Sequence, residues 1–98
     1  MKITKTQNGT NLEIALEGRL DTTTAPELEK ELNASLNAAD TLTLDFANLA
    51  YISSAGLRVL LSAHKVMSAK EGMTVKNVNE IVAEVFEVTG FADILNIE

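Results

Sequence analysis

Two adjacent hydroxyls, Ser53 and Ser54, stand between an apolar strand-like run ending at Phe46 and a helix-like run that opens at Ser54. The segment reads Leu49-Ala-Tyr-Ile-Ser-Ser-Ala-Gly-Leu-Arg-Val-Leu-Leu61. A helix start presents free backbone N–H groups and a partial positive charge. A phosphate carried on serine is accommodated there without disrupting the helix. The chemistry this spacing suggests is a hydroxyl that another protein modifies.

Other chemistries fit less well. Ser54, His64 and an Asp would compose a hydrolytic triad on paper. The nucleophile elbow needs Gly-x-Ser-x-Gly, and Ile52 fills the first glycine position. On one helix, Ser54 and His64 would stand about 15 Å apart, whereas a base must lie within about 3 Å of its nucleophile. His64 is the only histidine, and no cysteine is present, so a typical transition-metal site has too few ligands. His64 reads instead as a residue at the margin of an apolar stripe. Gly56 and Gly72 stand alone, without a dinucleotide or P-loop pattern. The pairs Glu27/Glu31 and Glu80/Glu84 sit at helical spacing and read as solvated faces. The plain reading of the serines is a helix cap. A cap uses one hydroxyl, and this segment supplies two. Gly56 would let a partner's backbone approach closely, and Tyr51 and Ile52 would supply apolar contact or enter the core.

The elements that must position these serines follow from the hydrophobic pattern. Lys2–Thr6 reads as a strand and Gln7-Asn8-Gly9 as a turn. Leu12, Ile14 and Leu16 alternate with Glu13, Ala15 and Glu17, the pattern of a half-buried strand. Gly18-Arg19-Leu20-Asp21 leaves that strand for a Thr-rich turn. Thr24-Ala25-Pro26-Glu27 fits a capping box with Pro in the first turn. It opens a helix over 25–37 with Leu28, Leu32, Ser35, Leu36 and Ala39 on one side. Leu42, Leu44 and Phe46 form a third strand, parallel to the second across the helix. A second helix spans 54–70 with Leu57, Leu60, Leu61, His64 and Met67 or Ser68, and Gly72 ends it. Met73–Val78 is a fourth strand. Asn79 caps a third helix carrying Ile81, Val82, Val85 and Phe86. Gly90 stops it, Phe91–Leu95 makes a last helical turn, and Ile97 begins a terminal strand or packs. The order is β-β-α-β-α-β-α-α: an α/β sandwich with a small mixed sheet of four to five strands and helices largely on one face.

Bulk properties bound the partners. The 98 residues, 46% hydrophobic and 22% charged, make one domain over 1–98. Fourteen acidic against eight basic residues give a net charge of −6. That opposes direct nucleic-acid binding and docking on anionic membranes. The N-terminal Met-Lys-Ile-Thr-Lys-Thr has no apolar signal-peptide core, and no run is long enough to span a bilayer. The expectation is a cytoplasmic protein without metal or cofactor.

In combination, four segments resemble the STAS domain family. Ile52-Ser53-Ser54-Ala55-Gly56-Leu57 is similar to its signature at the start of the second helix. Gly18-Arg19-Leu20-Asp21 resembles its turn before the first helix. Leu42–Phe46 resembles its central strand, and Phe86–Phe91 its C-terminal segment. The resemblance spans essentially the whole chain. Stand-alone bacterial members resembling this chain are anti-sigma factor antagonists that act by partner switching. The resemblance implies that the unphosphorylated form binds an anti-sigma factor with serine kinase activity and so frees a sigma factor. Phosphorylation of the signature serine breaks the complex, and a serine phosphatase restores it. The protein would be a kinase substrate and not an enzyme. Aligned on Gly56-Leu57, the signature serine is Ser54, with Ser53 the alternative one residue earlier. Ser53 stands where better-known members carry Asp. The partner-binding set the resemblance implies is Asp21, Ser53, Ser54, Gly56 and Arg58. The other reading is a STAS accessory subunit of a transport or stress-sensing complex, with no phosphorylation switch. A small hydrolase using Ser54 is the reading from another class.

Overall fold

The computed structural model describes all 98 residues. Strands β1 (Lys2–Asn8) and β2 (Asn11–Leu20) form a hairpin, and helix α1 (Ala25–Ser35) crosses to β3 (Thr41–Ile52). Then follow α2 (Ser54–Ser68), β4 (Met73–Lys76), α3 (Glu80–Thr89) and a short edge strand β5 (Asn96–Ile97). The sheet order is β1-β2-β3-β4-β5. The hairpin is antiparallel, and β2, β3, β4 and β5 run parallel.

Alternation decides which face is covered. Leu12, Ile14 and Leu16 of β2, Leu42, Leu44 and Phe46 of β3, and Met73 and Val75 of β4 point into a single core. The helices close that core. Leu28 and Leu32 come from α1, Leu57, Leu60 and Met67 from α2, and Val82 and Phe86 from α3. The Phe46 and Phe86 rings meet with centroids 6.5 Å apart. The other face of the sheet is polar. It carries the neighbouring pairs Glu13↔Thr43 and Ala15↔Asp45, with a Lys76–Glu13 ion pair of 3.2 Å across it. Lys70 ties the ends of two helices, its Nζ donating to Leu36 O at 2.6 Å and Ala39 O at 2.8 Å.

Several expected boundaries move, each for a local reason. The hairpin turn is Gly9-Thr10, because Asn8 still pairs with Asn11. Gly9, at φ 65°, takes the left-handed conformation the reversal needs. Gly18-Arg19-Leu20 does not leave β2. It stays paired with Leu49-Ala50-Tyr51-Ile52, so β3 continues well past Phe46. Two register shifts, each adding a residue on the β3 side, break the alternation that made Phe46 look terminal. Leu36–Ala38 is a 3-10 turn and not the end of α1. Strand β4 stops at Lys76 because Asn77 enters the left-handed region at φ 60°, where its amide donates to Asp45 Oδ1 at 2.9 Å. Asn79 caps α3 as its type predicts, its side chain accepting from Val82 N at 2.8 Å. Gly90, at φ 82°, ends that helix.

Candidate functional site

The connections after β2, β3 and β4 all leave the same end of the sheet. Each begins where a parallel strand ends, the usual place for functional groups in such sheets. The Ser53–Ser54 corner is set by the strand beneath it. Ser53 N donates to Leu20 O at 2.9 Å, extending the β2–β3 pairing beyond Leu20↔Ile52. The two register shifts lie in the β2–β3 pairing just before this corner.

Ser53 is the residue before α2, at φ −100° and ψ 176°. Its side chain does not cap the helix, contrary to the plain reading. The hydroxyl oxygen is enclosed and has no hydrogen-bond partner. Ser54 is the first residue of α2 and is exposed. The first bond of the helix runs from Leu57 N to Ser53 O, 2.9 Å. The N–H groups of Ser54, Ala55 and Gly56 therefore have no acceptor in the chain. The hydroxyl of one serine is enclosed, and the other serine stands exposed at the positive end of the helix.

Gly56 is buried, which corrects the expectation of an open glycine for a partner's backbone. A Cβ there would lie 2.7 Å from Leu20 Cγ and 2.9 Å from Ile52 Cγ1. Its missing side chain lets the first turn of α2 rest on the ends of β2 and β3. Arg58 is exposed and forms no ion pair, one turn beyond Ser54. It lines a shallow groove with Thr22, Pro26, Glu29 and Ala55, between the starts of α1 and α2.

Asp21 holds the neighbouring turn. Its Oδ1 accepts from Thr23 N at 3.0 Å and Thr24 N at 3.1 Å, and its carbonyl accepts from Ala25 N at 2.8 Å. The backbone N–H of Thr24 is the main reason its carboxyl sits below the usual aspartate range. The Thr24 hydroxyl, the Thr23 N–H and Arg19 add to the effect. The expected capping box at Thr24 is not formed. The Thr24 hydroxyl accepts from Asp21 N at 2.8 Å and donates to Arg19 O at 2.7 Å, so it closes the turn instead. One feature the sequence did not reveal is the stack of Arg19 over Tyr51, 4.6 Å from guanidinium carbon to ring centroid. Once Arg19 is known to pair with Tyr51 across β2 and β3, the stack follows. His64 lies farther along α2 than Ser54 and takes a bond at its carbonyl from Ser68 Oγ at 2.7 Å. The structure does not assemble Ser54 and His64 into a triad.

This geometry can be set beside known proteins. BtrV of Bordetella bronchiseptica, named as an anti-sigma factor antagonist, is 36% identical over 96 residues, covering 96% of this chain and 83% of BtrV. The anti-sigma-B factor antagonist of Bacillus subtilis is 26% identical over 92 residues, covering 93% of this chain and 84% of that protein. Among solved structures, an anti-sigma factor antagonist from Mycobacterium paratuberculosis superposes with a TM-score of 0.88. It is 18% identical and covers 98% of this chain and 83% of its own. Unphosphorylated SpoIIAA, also an anti-sigma factor antagonist, gives a TM-score of 0.78 at 17% identity, covering 99% of this chain and 87% of its own. SpoIIAA of Bacillus in its phosphorylated form gives 0.77 at 18% identity, covering 99% and 91%. The family described as "Mlab, STAS domain" matches residues 3–96. With nearly its whole length matched, the chain belongs to the STAS domain family.

Proposed function

We propose that this protein is an anti-sigma factor antagonist that works by partner switching, with Ser54 as the switch. The observation that carries the reading is the contrast between the two serines. Ser54 is exposed at a helix start whose first three N–H groups have no acceptor in the chain, while the Ser53 hydroxyl is enclosed. A kinase reaches the first and not the second. The unmodified surface around Ser54, Arg58 and Asp21 binds an anti-sigma factor that is also a serine kinase, and sigma factor is released. Phosphorylation adds about −1.5 to −2 charges at Ser54. The helix end and Arg58 accommodate that charge within the protein. The partner's surface meets it as bulk, desolvation and repulsion from its carboxylates. A loss of about 3 kcal/mol weakens the complex by roughly two orders of magnitude. A serine phosphatase resets the switch. The likeness of this chain to SpoIIAA in both its forms, with TM-scores of 0.78 and 0.77, supports a fold that persists through such a modification.

The second reading is an accessory STAS subunit in which Ser54 is never phosphorylated. Ser53, standing where the better-known members that this chain resembles carry Asp, favours it. Intact mass and Phos-tag mobility after incubation with the cognate kinase-type anti-sigma factor and ATP separate the two. A single added phosphate, lost in Ser54→Ala and retained in Ser53→Ala, is the expected result. No phosphate on the wild type, with a kinase proven active on another substrate, would leave the accessory subunit as the reading.

A further inference from the structure

The outer face of α3 carries two parallel rows. Ile81, Val85 and Val88 follow one another at i, i+4 and i+7, and Glu80, Glu84 and Glu87 repeat the same spacing one residue earlier. The sequence pattern places Ile81 with the core residues Val82 and Phe86, but the structure turns it outward. Ile81 is 59% exposed and Val88 80%, the largest exposures among the big hydrophobic side chains. With Glu84 and Thr89 the apolar row lines a shallow, open surface depression of about 280 Å³. None of the three glutamates forms an ion pair. From Asn77 to the C-terminus there are five acidic residues and no Lys or Arg, so no base in this segment balances the acidic row.

A solvated face would not need Ile81 and Val88 exposed on either side of a half-buried Val85. We propose that this face of α3 is a docking surface for a short basic amphipathic segment of another protein, an apolar ridge beside a row of Lys or Arg. The ridge seats between Ile81, Val85 and Val88, and the basic row meets Glu80, Glu84 and Glu87. A second copy of this chain is a poor occupant. Self-pairing sets glutamate row against glutamate row when the helices are antiparallel, and leaves both rows unmatched when they are parallel. A helix about 15 Å long also offers far less than the ~800 Å² per partner of a stable dimer. The surface shares no residue with the groove beside Ser54 and does not depend on the switch proposed there.

The test is an amide NMR titration of the full chain with a synthetic helical peptide carrying a leucine row beside a lysine row. A control peptide carries glutamate in place of lysine. Saturable shifts confined to residues 80–89 are expected, weakening with added salt. Val88→Asp and the triple change Glu80→Gln, Glu84→Gln, Glu87→Gln should each weaken binding about tenfold or more. These positions are exposed, so the variants should keep the wild-type spectrum elsewhere. Absence of saturable shifts would overturn the proposal, as would equal binding of the glutamate peptide or shifts centred on residues 21–24 and 53–58. Concentration-dependent self-association abolished by Val88→Asp would assign the face to a second copy and would equally overturn it.

Discussion

Gly56→Ala tests the packing that positions Ser54. Helix propensity alone predicts a gain, since Ala is favoured over Gly by up to about 1 kcal/mol within a helix, and Gly56 has no positive φ that would oppose a side chain. Packing predicts the opposite. The new Cβ meets Leu20 Cγ at 2.7 Å, Ile52 Cγ1 at 2.9 Å and Leu20 Cδ2 at 3.0 Å, where comfortable carbon contacts lie near 3.5–4.0 Å. Leu20 and Ile52 are 0% and 1% exposed, so neither side chain can swing aside into solvent. The backbone beneath them is held by the bond from Ser53 N to Leu20 O. Overpacking of this kind costs about 1–3 kcal/mol, and three tight contacts place it in the upper part of that range. The net loss is about 1–2 kcal/mol, or roughly 5–15 °C in Tm for a chain of this size. Urea unfolding, read as a lower midpoint at unchanged slope, measures it. Placing the same change in a Leu20→Ala background removes the main obstacle, so the penalty should shrink by about 1 kcal/mol or more. A Gly56→Ala protein as stable as wild type, or more so, would refute the packing argument.

Ser53→Ala should be neutral or stabilising in the same assay, because the enclosed hydroxyl bonds to nothing. The Asn79 cap on Val82 N behaves oppositely, and Asn79→Ala should cost about 1 kcal/mol. Lys70→Met keeps the stem but removes the donor to the Ala39 carbonyl and the second donor to the Leu36 carbonyl, which retains Ala39 N–H, and should cost about 1 kcal/mol. The Asp21 and Asp45 carboxyls are both held below their ordinary value, Asp21 chiefly by Thr24 N–H and Asp45 by the Asn77 amide. Folded values below unfolded ones mean that their contribution is complete above the ordinary aspartate range and disappears as pH falls through the folded values. Carbon-detected NMR titration should place both below 3.8, and Asp21→Asn should flatten the acid limb of the stability curve.

What the sequence makes legible follows its periodicity. Leu28, Leu32, Ser35, Leu36 and Ala39 are all buried, as their spacing predicts, and Asn79 and Gly90 bound α3 by their conformational chemistry. The misreadings share one cause, which is that tertiary pairing overrides local pattern. The residues of β3 beyond Phe46 do not alternate, because the register shifts against β2 add residues on one side only. The Thr24 hydroxyl had a local helix to cap and closes the Asp21 turn instead. Ile81 fits the helical stripe in sequence, yet only Val82 and Phe86 of α3 are buried. At the candidate site, the type and spacing of Ser53 and Ser54 are visible in the chain, but which hydroxyl is accessible is not. That depends on how the corner lies over Leu20, a contact across more than thirty positions.

Phosphorylation at Ser54 is proposed to act at the surface and to leave the fold intact. The most direct test is calorimetric titration of the cognate anti-sigma factor into the unmodified chain and into the chain phosphorylated at Ser54, with Tm recorded for both. Phosphorylation should lower affinity by roughly two orders of magnitude and leave Tm within a few degrees. Equal affinity for the two forms, or loss of binding accompanied by unfolding, would contradict it.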